Sequence, residues 1–192
     1  APPLDGLIVV DFTRVLAGPL CTMVLSDLGA EVIKVERAGV GDDTRAWGPP
    51  TLGDDATYFL SVNRGKRSVA IDLADPEGRE QARRLASRAD VVVENFRSGV
   101  MSRFGLGYEQ LKEANPGLIY CSIPAFASTD DPRPGYDLVM QAATGLMSLT
   151  GQGSPTKAGV ALLDVITGLY AGVGILAALE ARHENGRGQH VT

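Results

Sequence analysis

Apolar and polar positions alternate along the first two thirds of the chain in two distinct rhythms. Leu7-Ile-Val-Val-Asp-Phe12 is a short β-branched run, repeated in kind by Glu31-Val-Ile-Lys-Val-Glu36, Ser68-Val-Ala-Ile-Asp-Leu73, Asp90-Val-Val-Val-Glu94 and Leu118-Ile-Tyr-Cys-Ser-Ile123. Between these runs the apolar residues fall at helical spacing: Ala17 to Leu28, stopped by Gly29; about Asp75 to Ala89; and Tyr108 to Ala114, stopped by Asn115-Pro116. Asp75-Pro76-Glu77 is a helix-start signal. The aspartate can accept from free amides, proline has no N–H to lose at the first position, and glutamate faces the positive end of the helix dipole. Strands alternating with helices predict a mainly parallel sheet covered on both faces, a doubly wound α/β fold of Rossmann-like type.

The rhythm changes after Pro124. Thr129 to Pro134 reads as a polar, proline-rich loop, about Tyr136 to Leu149 as a helix, Gly151-Gln-Gly-Ser-Pro155 as a turn, and about Asp164 to His183 as a second apolar helix. The tract Ala158 to Ala181 is broken by Asp164, four glycines and Glu180, so a buried helix is expected rather than a membrane span. The Ala38 to Ala56 segment, rich in Gly, Asp and Pro, is irregular. No repeat or linker divides the chain, so residues 1–192 are read as a single domain.

Composition narrows the class. With 44% hydrophobic and 21% charged residues in 192, the chain is globular, not disordered, and long enough to bury a core. Its net charge of −5 argues against non-specific nucleic-acid binding but leaves room for local cationic clusters that hold a small polyanion. The two cysteines, Cys21 and Cys121, lie in apolar stretches and read as reduced core thiols. The start Ala-Pro-Pro-Leu-Asp-Gly has no basic region before an apolar one, so no signal peptide is visible and a cytoplasmic protein with no membrane partner is expected. No metal is expected either. His183 and His190 are seven apart with no cysteine or carboxylate at ligand spacing.

Ligands of open α/β sheets bind beyond the carboxyl ends of the strands. Arg37 and Arg97 follow two such ends, and with Arg103 they could collect phosphates through their planar donor forks. A nicotinamide site is disfavoured: Glu36 stands where a ribose-binding acid would, but Thr13-Arg-Val-Leu-Ala-Gly-Pro19 replaces the glycine fingerprint after the first strand. No G-x-S-x-G or P-loop occurs, and the basic residues of Arg64-Gly-Lys-Arg-Ser68 read as a solvated turn. Asp164 is the most conspicuous position, a single carboxylate among aliphatic residues and glycines. Such an acid is exposed at an element end, paired, or kept for chemistry. Residue logic alone leaves helix cap and nucleophile both open.

Taken together, the segments resemble the class III coenzyme A transferase family, of the CaiB/BaiF type. The matching stretches are Leu4-Asp-Gly-Leu-Ile-Val-Val-Asp-Phe12, Ala17-Gly-Pro19, Leu28-Gly-Ala-Glu-Val-Ile-Lys-Val-Glu-Arg37 and Asn63-Arg-Gly-Lys-Arg-Ser68. They continue through Val93-Glu-Asn-Phe-Arg97, Pro134-Gly-Tyr-Asp137, Gln141-Ala142, Gly145 to Gly151, Asp164-Val-Ile-Thr-Gly168 and Gly186-Arg-Gly-Gln189. The resemblance implies transfer of coenzyme A from an acyl-CoA donor to a small carboxylic acid, with no permanently bound cofactor. Asp164 stands at the position of the family's nucleophile, which passes through a mixed anhydride and an aspartyl-CoA thioester, and Asp137 at that of a second acid of the catalytic centre.

The resemblance also implies that Val15, Leu16 and Ala17 line the site, although some members have a shielding glutamine where this chain has Leu16. Arg37 and Ile71 match neighbours of the adenosine, Asn95, Phe96 and Arg103 match further CoA contacts, and Arg97 becomes a phosphate partner. Ala74 and Pro134 fall where some members carry CoA-binding lysines, and Ile123-Pro-Ala-Phe-Ala-Ser-Thr-Asp-Asp131 lacks the glycines usual there. Racemases of the same family have a histidine where this chain has Tyr136, a poor base at neutral pH, so transferase is preferred over racemase. A CoA-binding module without catalysis is the remaining alternative. Family subunits are about twice as long, so the chain is expected to be the N-terminal, CoA-binding half, acting as a homodimer or with a C-terminal half.

Overall fold

The computed structural model describes residues 1–126, 133 and 135–192. In chain order the elements are β1 (Ile8–Asp11), α1 (Ala17–Asp27), β2 (Glu31–Glu36), a 3-10 helix (Asp43–Ala46), β3 (Thr51–Leu52), β4 (Asp55–Ala56), α2 (Thr57–Ser61), β5 (Arg67–Ala70) and α3 (Pro76–Ala86). There follow β6 (Val91–Glu94), α4 (Val100–Arg103), α5 (Tyr108–Ala114), β7 (Ile119–Ser122), α6 (Asp137–Ala143), α7 (Leu146–Thr150), α8 (Leu162–Asn185) and β8 (His190–Val191).

Six strands form one parallel sheet in the order β5-β2-β1-β6-β7-β8. Counting only the strands of this sheet, the order is 3-2-1-4-5-6, the doubly wound arrangement in which the direction of winding reverses beside the first strand. The reversal lies between β1 and β6, where Val9 faces Val91 and Val10 faces Val92. A strand buried on both faces needs apolar side chains at successive positions, which is why Val91, Val92 and Val93 do not alternate with polar residues. One face packs Val9, Val32, Val91, Val93 and Ile119 against Cys21 and Leu25 of α1 and Ile175 and Leu179 of α8. The other packs Val10, Val92 and Tyr120 against Ala82 and Ala86 of α3, Met101 of α4 and Leu111 of α5. The expected fold class is therefore present, and Asp75 caps α3 as its sequence signal requires, accepting from the Gly78 amide at 3.2 Å.

Four local expectations need correction. The helix read from Tyr136 to Leu149 is two helices, α6 and α7, because Gly145 between them takes the left-handed φ of 80° that ends one helix and redirects the chain. The last long helix starts at Leu162, two residues before Asp164. It is long and apolar enough to cross a membrane by length and composition, and within this chain it is only partly buried. Gly168 lets it approach α1 so closely that a Cβ there would lie 2.5 Å from the Ala17 carbonyl oxygen. The opposite face exposes Ile166, Leu169, Tyr170 and Val173. Periodicity could not reveal this, since α8 is apolar on both faces and only packing decides which one is covered. Finally, Arg64-Gly-Lys-Arg is not a wholly solvated turn. Arg64 and Arg67 are exposed, but the Lys66 side chain is 2% exposed and bonds buried Asp11. The loop read over Thr129–Pro134 lies outside the described residues, Arg133 excepted.

The irregular segment before β5 is held by one arginine. Arg45 of the 3-10 helix pairs with Glu36 at 2.7 Å and Asp55 at 2.8 Å, and its guanidinium lies 3.8 Å from the centre of the Phe59 ring. Burial pushes the Glu36 carboxyl up, but bonds from Arg45, Ser68 and the Asp42 amide outweigh it and bring the pKa down to about 2. Glu36 is thereby committed to the fold rather than to a ribose. The segment so anchored carries Asp43 and Trp47 toward the strand ends.

Candidate active site

Beyond the carboxyl ends of β1, β6 and β7 the chain encloses a cleft of about 550 Å³. Its walls come from the loop after β1 (Arg14 to Ala17), the loop after β6 (Asn95 to Ser98) and the start of α8 (Leu163, Asp164 and Thr167). A smaller cleft of about 280 Å³ opens beside it, lined among others by Trp47, Tyr58, Gln141 and Lys157. Val15, Tyr136 and Asp164 border both. Asp164 thus stands at the junction of two spaces, at the point where the sheet topology places ligands.

The position of Asp164 is set by a chain of hydrogen bonds from α6. Asp137, in the first turn of that helix, accepts from the amides of Leu163 (2.8 Å) and Asp164 (3.1 Å). It therefore caps α8 from another element, since Ala161 at the N-cap position has no side chain that could do so. Gln141, one turn further along α6 and 1% exposed, donates to Asp137 and to the Val160 carbonyl and accepts from the Ala158 amide at 2.8 Å. The structure consequently removes Asp164 from the cap role that residue logic left open. Among the described residues no group donates a hydrogen bond to its carboxylate.

The electrostatics follow from that isolation. Burial, and then the neighbouring Asp137 charge, raise the Asp164 pKa from 3.8 to about 6. The helix N-terminus favours the anion, but these two effects prevail. The Tyr58 phenol is also raised, first by burial and then by the charges of Asp164, Asp137 and Asp42. Its hydroxyl therefore feels the same negative field.

The wall facing Asp164 is an unusual turn. Val15 has a φ of 69°, the left-handed region that a β-branched residue avoids, at a cost on the order of 1–3 kcal/mol. Two devices hold it. Asn95 clamps the preceding residue, accepting from the Arg14 amide (2.9 Å) and donating to the Arg14 carbonyl (2.7 Å). Beneath the turn, Asp11 accepts from Thr13, Thr22 and Lys66, while Lys34 donates to the Thr13 carbonyl and pairs with Asp42 at 3.0 Å. Burial alone would raise Asp11, but the Lys66 and Lys34 charges and the threonine bonds hold it far below the usual carboxylate range.

Of the positions singled out from the sequence, Val15, Leu16, Ala17, Asn95, Phe96, Arg97 and Asp164 line the larger cleft, and Asp137 lines the smaller. Arg37 does not. It is exposed and pairs at 3.2 Å with Asp43, which does line the larger cleft. Arg103 is exposed at the end of α4 and lines neither cleft, and Ile71 is buried in the core under α3. Arg14, whose guanidinium lies 5.0 Å from the Phe96 ring centre, and Arg133, which lies 4.1 Å from that of Phe126, also line the larger cleft. Neither was found by sequence reasoning, although Arg14 follows the first strand end directly. Gln141 gave no signal beyond a short motif, because a buried amide is recognised by its partners. Pro134, where a lysine stands in some members of the resembled family, lies outside the described residues.

Comparison with known proteins gives the family and supports the fold. A family model described as CoA-transferase family III matches residues 4–192. Human succinyl-CoA:glutarate CoA-transferase is 52% identical over 190 residues, covering 97% of this chain and 43% of the relative. Succinate–glutarate CoA-transferase of Agrobacterium fabrum is 48% identical over 200 residues, covering 99% and 50% respectively. The crystal structure of a CaiB/BaiF family protein from Brucella suis superposes with a TM-score of 0.92 at 50% identity, covering 98% of this chain and 52% of that one. The chain spans about half the length of the curated relatives it matches.

Proposed function

The chain belongs to CoA-transferase family III, and from that premise we propose that the intact protein moves coenzyme A from an acyl-CoA to a carboxylic acid, with Asp164 as nucleophile. The observation that carries this reading is Asp164 itself. It is a half-buried carboxylate with no hydrogen-bond donor among the described residues, fixed at the junction of two clefts and raised to about 6. A carboxylate stripped of donors keeps its electron pairs available, and covalent catalysis divides a difficult acyl exchange into easier steps.

In this reading an oxygen of Asp164 adds to the donor thioester carbonyl, the carbon–sulfur bond breaks, and the CoA thiolate leaves an aspartyl anhydride. The thiolate then attacks the aspartyl carbonyl, releasing the donor acid and forming an aspartyl-CoA thioester. The acceptor carboxylate attacks that carbonyl and expels the thiolate. Attack of the thiolate on the acceptor's own acyl carbon yields the new acyl-CoA and restores the Asp164 carboxylate, with no net proton change. The larger cleft, with Arg14, Arg97 and Arg133 on its walls, suits the polyanionic CoA, and the smaller suits the acid. Asp137 and Gln141 act by positioning α8. Short dicarboxylic acids are the proposed acyl groups, as in the names of the two relatives. Residues 1–192 are, in this proposal, one CoA-binding α/β domain of a longer cytoplasmic subunit whose remainder covers the exposed face of α8.

Two outcomes test the chemistry. Acid-quenched intact protein, mixed with succinyl-CoA, should carry CoA on the peptide containing Asp164, and hydroxylamine should release it. Label on another carboxylate, or none, removes the assignment. Turnover should also depend on pH with a limb near 6, falling about tenfold per unit below it, because the nucleophile is the ionised form. The limb reports Asp164 in the free enzyme and is read from kcat/KM. A profile flat through pH 6 would contradict a nucleophile with this pKa.

A further inference from the structure

Lys157 is the one cation among the described residues lining the smaller cleft, and it does not line the larger. Resting on the CoA-transfer reading above, we infer that Lys157 binds the remote carboxylate of a dicarboxylic acyl acceptor and so determines that the acid is a diacid rather than a monoacid. Lys157 is exposed, but the backbone beside it is held at a fixed place relative to the nucleophile. The Ala158 amide donates to Gln141, Gln141 donates to Asp137, and Asp137 accepts from the amides of Leu163 and Asp164. One chain of hydrogen bonds through a buried glutamine therefore links the backbone next to Lys157 to the backbone of Asp164.

Charge supports the same role. Among the described residues no carboxylate pairs with Lys157, and the one bond its ammonium makes there is a long one of 3.4 Å to the Ala158 carbonyl. The charge that shifts Asp164 is Asp137, not Lys157. The ammonium is thus free to meet a ligand. When the acceptor enters, Asp164 is a neutral thioester and Asp137 remains as the acid on this cleft. A dianion brought there meets repulsion unless a cation receives its second charge. Trp47 and Tyr58, with ring centres 5.3 Å apart, also line this cleft and give it apolar wall for the hydrocarbon of the acid. At about 280 Å³ the cleft lies just below the range of sites for drug-sized ligands, which starts at roughly 300 Å³, and so suits a short acid.

The test compares glutarate with pentanoate, its monoacid of equal carbon count, as acceptors for the intact protein at saturating succinyl-CoA. The wild type should prefer glutarate. K157M should raise the KM for glutarate by about tenfold or more, with kcat changed by less than about twofold, and should leave the KM for pentanoate unmoved; K157R should restore glutarate to within about threefold. Equal shifts for both acids, no shift for glutarate, or a wild type indifferent between them would overturn the inference while leaving CoA transfer intact. A wild type that transfers CoA to neither acid would sink the transferase reading and this inference together.

Discussion

Asp164→Asn in the intact protein should lower CoA transfer by at least about 10⁴-fold while making the folded state more stable at neutral pH. The two effects have one origin. Asparagine fills the same space at the start of α8 and leaves the Asp137 bonds to the Leu163 and Asp164 amides in place, since those use the backbone. It cannot form the anhydride or the CoA thioester, so every step after substrate binding is lost. The raised pKa gives the sign of the stability change. Between 3.8 and about 6 the folded state holds a proton that the unfolded state has released, so wild-type stability falls as pH rises through that window. Removing the charge removes the penalty. After allowance for the partial exposure of the group, the gain is about 1–2 kcal/mol at pH 7 and vanishes below about pH 4. Denaturant unfolding of both proteins at the two pH values measures it. A variant no more stable than wild type at pH 7 would show that the carboxylate is better solvated than its surroundings imply.

Lys66→Met should cause the largest loss of stability, about 3–5 kcal/mol. Lys66 and Asp11 have side chains 2% and 0% exposed, with an Nζ–Oδ2 distance of 3.1 Å, and Lys66 also donates to the Pro19 carbonyl and to Asn63. Methionine matches the length of the side chain but leaves a buried carboxylate without its nearest counter-charge. The damage should be partly reversed in Asp11→Asn/Lys66→Met, where no buried charge is left unpaired, and a double-mutant cycle of unfolding free energies gives the coupling. The loss should also shrink as pH falls, because the stranded Asp11 can then take up a proton. Additive effects of the two substitutions would mean that the pair contributes nothing beyond its separate contacts.

How legible all this is in the sequence depends on the range of the forces concerned. The strands of the sheet announce themselves because a parallel strand covered on both faces must be apolar at successive positions, as Val91-Val-Val93 is. The cap at Asp75 is equally local. Asp164 is conspicuous because a carboxylate among aliphatic residues is costly wherever the chain places it. Lys66 shows the limit: its neighbours Arg64 and Arg67 are solvated, and only Asp11, fifty-five positions away, explains why the lysine between them is buried.

The sequence by itself therefore determined the alternation of strands and helices, the doubly wound class and the oddity of Asp164, all of which rest on spacing and on the cost of burying charge. Only the tertiary structure decided that Asp137 caps α8, that Gln141 ties the backbone at Ala158 to the nucleophile's helix, that Arg37 and Arg103 stand off the cleft, and which face of α8 is covered. Each of these depends on how segments distant in the chain are brought together. A side chain's identity states what bonds it can make, and the fold states which partner is there to make them.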